Sequence, residues 1–162
     1  VANLDVMHDL IDYPMYIVTA AADGDRAGCL VGFASPCSIR PPRFAVWLST
    51  ANRTFRVASR ATHLAVHLVS RDTLALAELF GGETGDETDK FQQVAWEPRT
   101  GGAPVLRDAA AWFVGRVHRQ ADGGDHVLFL LEPVEESPPA PEPHPRIVMF
   151  HDVARLDPGH PA

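Results

Sequence analysis

Short apolar blocks alternate along the chain with polar stretches that carry Gly and Pro, a punctuation that predicts strands more often than helices. Residues 15–20, Met-Tyr-Ile-Val-Thr-Ala, have strand composition. Residues 22–26 form a turn whose strongest signal is Asp23-Gly24, and residues 27–34 return as its hairpin partner. Pro41 and Pro42 cannot donate to a ladder, so they break the chain before a strand over residues 44–49. The pattern then predicts a short helix over 53–59 and a strand over 64–69. A second helix over 74–80 follows, capped by Ser70 or Asp72 and stopped by Gly81-Gly82. Residues 104–106 lead into a strand over 110–119, which turns at 121–125 and pairs with a strand over 126–134. Residues 147–150 read as a last short strand or edge, and residues 1–12 as a short amphipathic helix or a lead-in. Six or seven strands with two or three short helices favour an antiparallel barrel over a doubly wound α/β sheet.

The 162 residues fit one domain, and 46% hydrophobic content is enough for a sizeable core. Residues 137–145, with five prolines, read as an extended connection rather than a linker to a second domain, with 146–162 as a C-terminal tail that is polar over 157–162. The formal net charge of -7 argues against a nucleic-acid surface. Cys29 and Cys37 have neither metal nor redox spacing, so two separate reduced thiols are expected. No leader pattern precedes the fold and no apolar run approaches ~18 residues, which suggests the cytoplasm and no membrane partner. Residues 81–90 are polar throughout and read as either a functional loop or a surface connection.

Candidate chemistry concentrates between Gly28 and Arg56. Small residues let a flat ligand approach the backbone, and hydroxyls with an Arg at a helix start suit a phosphate. The same residues also serve as strand bends and ordinary helix caps, and the local pattern leaves both readings open. Nucleotide loops of the Rossmann and Walker types and the Gly-x-Ser-x-Gly elbow are absent from the sequence. His63 and His67 share one face of a predicted strand, but a packed residue is the expected role of His67, and no metal site is proposed. Gly124-Asp125-His126 opens a strand after a Gly turn, and by itself reads as a turn with an incidental His.

The order of these parts resembles the flavin reductase family. The matching features are the small-residue strand at 28–34, Ser38-Ile39-Arg40-Pro41-Pro42, the strand at 44–49, the Asn52-Arg53-Thr54 helix start, Asp89-Lys90-Phe91 and Gly124-Asp125-His126. The resemblance spans residues 13–134 and implies a Greek-key split β-barrel that binds FMN, with FAD also open. It implies NADH or NADPH as donor, with hydride passing from nicotinamide C4 to flavin N5. It implies as cofactor-binding residues Cys29, Leu30, Val31, Gly32, Phe33, Ser35, Cys37, Ser38, Ser49, Asn52, Arg53, Thr54, Lys90 and Phe91. His126 is implied as the catalytic residue on the nicotinamide side. A homodimer is expected too, with Trp47, Phe55, Phe113 and Phe129 as apolar residues available for its interface, and a separate flavin-dependent monooxygenase as a further partner. Many family members carry Thr and Ser where this chain has Leu30 and Gly32, which leaves the backbone, Ser35, Ser38, Asn52, Arg53 and Thr54 for the phosphate. Two alternatives stand beside this expectation: a flavoprotein of the same fold with another donor, such as a deazaflavin, or another substrate, and a β-barrel binding module with no cofactor.

Overall fold

The structure, a computed structural model, describes residues 1–82 and 89–156. The chain enters through a short helix, α1 (Asp5–His8), and forms β1 (Tyr16–Ala22) and β2 (Asp25–Val31). Asp23 and Gly24 both take positive φ, 52° and 83°, which gives the two-residue turn whose twist matches an antiparallel pair. Then come β3 (Ala34–Ile39), β4 (Pro42–Ser49), α2 (Arg53–Ala58), β5 (His63–Leu68) and α3 (Leu74–Gly82). A small hairpin, β6 (Trp96–Pro98) and β7 (Pro104–Leu106), precedes the long strands β8 (Ala111–Asp122) and β9 (His126–Glu136), and α4 (Phe150–Val153) ends the described chain.

Seven strands make one antiparallel sheet in the order β2-β1-β5-β8-β9-β4-β3. It curls until β2 returns against β4, and α2 packs on β1, β2 and β4 at that seam. Alternation along each strand divides its residues between two sides. Val18, Ala27, Cys29, Val31, Val46, Leu48, Val66, Phe129 and Leu131 fill the inside of the curl. On the outer side, Met15, Ile17, Leu76, Phe80, Phe91, Leu106 and Val148 form a second core beneath α3. β1 and β2 are therefore covered on both faces, which is why residues 15–20 read as an unbroken apolar run. No described helix is long and apolar enough to cross a membrane.

Several expectations need correction. Residues 27–34 are not one strand: the chain bends at Gly32-Phe33, and a separate strand, β3, begins at Ala34. Pro36 is tolerated there because β3 is the sheet edge, and a register shift between Pro36 and Ser38 takes up the irregularity. Pro41-Pro42 does not isolate the next strand. Pro42 pairs with Ile39 across a tight hairpin that Ser38 braces by donating its hydroxyl to the Pro41 carbonyl at 2.6 Å. Residues 147–150 make only isolated bridges, Ser70 with Ile147 and Pro14 with Met149, before Phe150 starts α4. The described part of the C-terminal tail docks back, burying Val148 and Val153. Most of the polar loop at 81–90 and the polar stretch 157–162 lie outside the described residues.

Of the apolar residues expected at an interface, Trp47, Phe55 and Phe113 are partly buried and Phe129 is fully buried. Phe55 packs edge-on against Phe129, and Phe113 packs edge-on against Phe44. His67 is no metal ligand either. Its Nδ1 lies 2.8 Å from the Ile17 carbonyl and its Nε2 accepts the Leu106 N–H at 3.0 Å.

Candidate functional site

The bend after β2 makes the site. Val31 points into the core, the chain turns at Gly32-Phe33, and the Phe33 carbonyl accepts the Trp47 N–H of β4 at 2.9 Å. A groove of about 240 Å³ opens along this corner. Its walls are Cys29, Leu30, Val31, Gly32 and Phe33 from β2 and the bend, Trp47, Leu48 and Ser49 from β4, and Asn52 before α2. His126 at the start of β9, Tyr13, Met15 and Phe150 complete it. Eight sequence-predicted residues thus meet in one place: Cys29, Leu30, Val31, Gly32, Phe33, Ser49, Asn52 and His126. Apolar walls with a few polar groups at one rim suit a flat, largely aromatic ligand with a polar edge.

Tyr13, Met15, Trp47 and Phe150 were not singled out by sequence. Trp47 was legible: it lies between inward-facing Val46 and Leu48, so alternation turns its ring out of the core. Phe150, which stacks on Tyr13 at 4.9 Å, comes from residues read as a strand, and nothing local marks it. The small residues also do something other than expected. A Cβ at Gly28 would meet the Phe80 ring at 2.6 Å, and one at Gly32 would meet Tyr13 at 2.5 Å. Close packing by protein side chains accounts for both glycines.

His126 stands at the rim. Its Nδ1 is 2.7 Å from the Asp125 carboxylate, and its ring tilts against Phe33 at 5.1 Å. A carboxylate only accepts, so Nδ1 carries a proton and Nε2 is the nitrogen left for a ligand. Phe33, Trp47 and His126 are shared with a second hollow of about 420 Å³, where Ser35 also lies. Cys29 is buried, and desolvation holds its thiol above the ordinary range despite hydrogen bonds from Thr54 and Asn52 and the Lys90 charge. It stays protonated at neutral pH and is a wall, not a nucleophile.

The remaining predicted residues separate. Arg53, Lys90 and Phe91 line a cleft of about 210 Å³ that adjoins the groove along β2. Lys90 is only 4% exposed and donates to the carbonyls of Gly28 at 3.2 Å and Phe80 at 3.1 Å, which ties β2 to the end of α3. Phe91 is core, packed edge-on between Phe80 and Trp96. Thr54 is buried under the groove, and its N–H is taken by the Asn52 side chain at 2.9 Å. Cys37 and Ser38 sit on the β3 edge, outside the groove and both neighbouring hollows; Cys37 is exposed and Ser38 belongs to its hairpin.

Comparison with known proteins fits this geometry. A family described as flavin reductase like domain matches residues 7–154. The chain is 33% identical over 119 residues to the reductase component of 4-nitrophenol 4-monooxygenase/4-nitrocatechol 2-monooxygenase from Rhodococcus opacus, covering 74% of this chain and 62% of that protein. It is 32% identical over 114 residues to the FMN reductase (NADH) RutF 2 of Rhizobium rhizogenes, covering 68% and 65%. The chain therefore spans a little under two thirds of the length of these two relatives. Its fold superposes on a flavin reductase domain protein from Arthrobacter sp. FB24 with a TM-score of 0.81 at 21% identity, covering 98% of this chain and 94% of that one.

Proposed function

This chain belongs to the flavin reductase like domain family, and on that premise we propose that it is an NADH- or NADPH-dependent flavin oxidoreductase with FMN as its flavin. The observation that carries the reading is the convergence of β2, the Gly32-Phe33 bend, Asn52 and His126 on one groove. A bound flavin supplies a two-electron hydride acceptor that amino-acid side chains lack. The residues here bind, orient and exclude water. Leu30, Trp47 and Phe150 give apolar contact for a ring system, while backbone groups at residues 29–33 meet its polar edge. Asn52 and the Arg53 side chain lie toward the phosphate. Thr54, being buried, supports that corner from beneath. His126 faces the nicotinamide through Nε2, fixed by Asp125.

FAD is the alternative flavin. The kinship with a monooxygenase reductase component supports a partner oxygenase that consumes the reduced flavin. A cytoplasmic location fits a nicotinamide-dependent reaction. A homodimer is the expected assembly, as a closed two-fold pair is the commonest outcome for a soluble homo-oligomer.

The test is the visible spectrum of the purified chain titrated with FMN and with FAD. Saturable flavin binding at one site per chain is expected. A preparation that takes up neither would contradict the proposal and support a cofactor-free barrel.

A further inference from the structure

Arg26 is held on the outer side of β2 by aromatic rings. It lies on the outer face of β2, in phase with Leu30 and Gly32, both of which line the groove. Its guanidinium rests 4.7 Å from the Trp96 ring centre and 5.9 Å from that of Phe91. Among the described residues it makes no ion pair. Aromatic bracing of this kind restricts a long side chain while leaving its N–H fork open.

Two carboxylates, Asp25 and Asp89, line the same cleft as Arg26. Arg60 holds Asp23 at 2.6 Å and Asp25 at 3.1 Å. Asp89 accepts the Phe91 N–H at 3.1 Å as the cap of its own turn. Arg53 enters the same cleft, reaching the Arg26 carbonyl at 3.5 Å and Asp25 only at 4.0 Å. Two guanidinium groups therefore face one hollow in a chain of net charge -7. Residues next to each other in sequence line the hollow and the groove at two places, Gly28 with Cys29 and Arg53 with Asn52. Four residue steps along the strand separate Arg26 from Leu30, roughly 13 Å.

We propose that Arg26 and Arg53 form a clamp for a phosphomonoester at the end of the groove. Arg26 is the new member, and the cleft selects nucleotides that carry a terminal phosphate. The proposal rests on the nucleotide-binding reading of the groove. Guanidinium forks match a phosphate in a bidentate manner that a carbonyl or a hydroxyl does not. The phosphate has two possible sources, the 5′-phosphate of FMN or the 2′-phosphate of NADPH.

Arg26→Gln, Arg53→Gln and Arg26→Lys are compared with the wild type for dissociation constants of FMN and riboflavin and for KM of NADPH and NADH. If the flavin phosphate is held, the preference for FMN over riboflavin falls about tenfold or more in both Gln variants, with the NADPH/NADH ratio unmoved. If the nicotinamide phosphate is held, the NADPH/NADH preference falls instead and the FMN/riboflavin ratio is unmoved. Arg26→Lys keeps the charge and loses the fork, so it recovers part of the preference and guards against a variant that merely misfolds. Both ratios unchanged in all three variants would overturn the clamp. Should the wild type bind no flavin and oxidise no nicotinamide, the groove reading fails separately. The clamp is then judged by thermal midpoints in inorganic phosphate and in chloride at equal ionic strength. A phosphate-specific rise lost in Arg26→Gln supports it, and no rise rejects it.

Discussion

His126 presents one ring nitrogen to Asp125 and the other to the groove, and its side chain is 27% exposed. That arrangement suits a group that orients a ligand at a rim. It does not make His126 the hydride acceptor, and the proposed reaction needs no side-chain acid or base for that step. His126→Ala is expected to raise the KM for the nicotinamide, or to slow flavin reduction, by about 1–3 kcal/mol while FMN binding stays nearly intact. Steady-state kinetics over the full donor range check this. Wild-type rates throughout would make His126 a turn residue, and loss of FMN would move it into the flavin shell. Thr54 invites a different expectation from Arg53, since its side chain is 1% exposed and touches the Cys29 thiol through a hydrogen bond. Thr54→Ala should lower stability by about 1 kcal/mol, read in urea melts, before it changes the phosphate contact. Unchanged stability would show that the buried hydroxyl contributes nothing to this corner.

At the scale of elements, His67 acts as a strut. It sits on β5, bonds to β1 through the Ile17 carbonyl, and accepts from β7 through the Leu106 N–H. Burial lowers its pKa from 6.5 to about 4, although the Ile17 hydrogen bond opposes the shift. The unfolded chain therefore binds one more proton than the folded chain between those two values. The neutral ring's contribution is complete above about pH 6.5 and is lost as pH falls toward 4, a difference of about 3 kcal/mol. Urea midpoints of the wild type should fall across that window, and those of His67→Gln should start lower and fall less. Equal slopes in both proteins would remove His67 from the account. The strands around it were legible because β1, β5 and β9 are long apolar runs bounded by turn residues. β3 was not, because Ser35, Pro36, Cys37 and Ser38 have loop composition, and an edge strand needs neither apolar faces nor every N–H. β6 and β7, three residues each and both carrying Pro, give too little pattern to read. In the site, contiguous residues such as 29–33 were found from local chemistry. Tyr13 and Phe150 reach it through tertiary packing, which leaves no local trace. Lys90 and Phe91 carried a family-like pattern, yet in this fold they are a buried tether and a core ring.

The whole molecule combines a well-filled double core with apolar residues left outside it. Leu4, Val6, Met7, Leu10 and Ile39 are all exposed, and α1 buries none of its residues. Together with Trp47, Phe55 and Phe113, which are only partly buried, they are apolar surface that a dimer would cover. Light scattering at micromolar concentration should give twice the chain mass, and a monomer mass would count against the dimer. Electron transfer from a nicotinamide to the bound flavin is read directly by stopped flow. The chain loaded with FMN is mixed anaerobically with NADH or with NADPH, and the visible flavin band is followed by stopped flow. The account predicts rapid, saturable bleaching with at least one of the two donors, faster than for free FMN under the same conditions. Bound flavin that keeps its colour with both would contradict it.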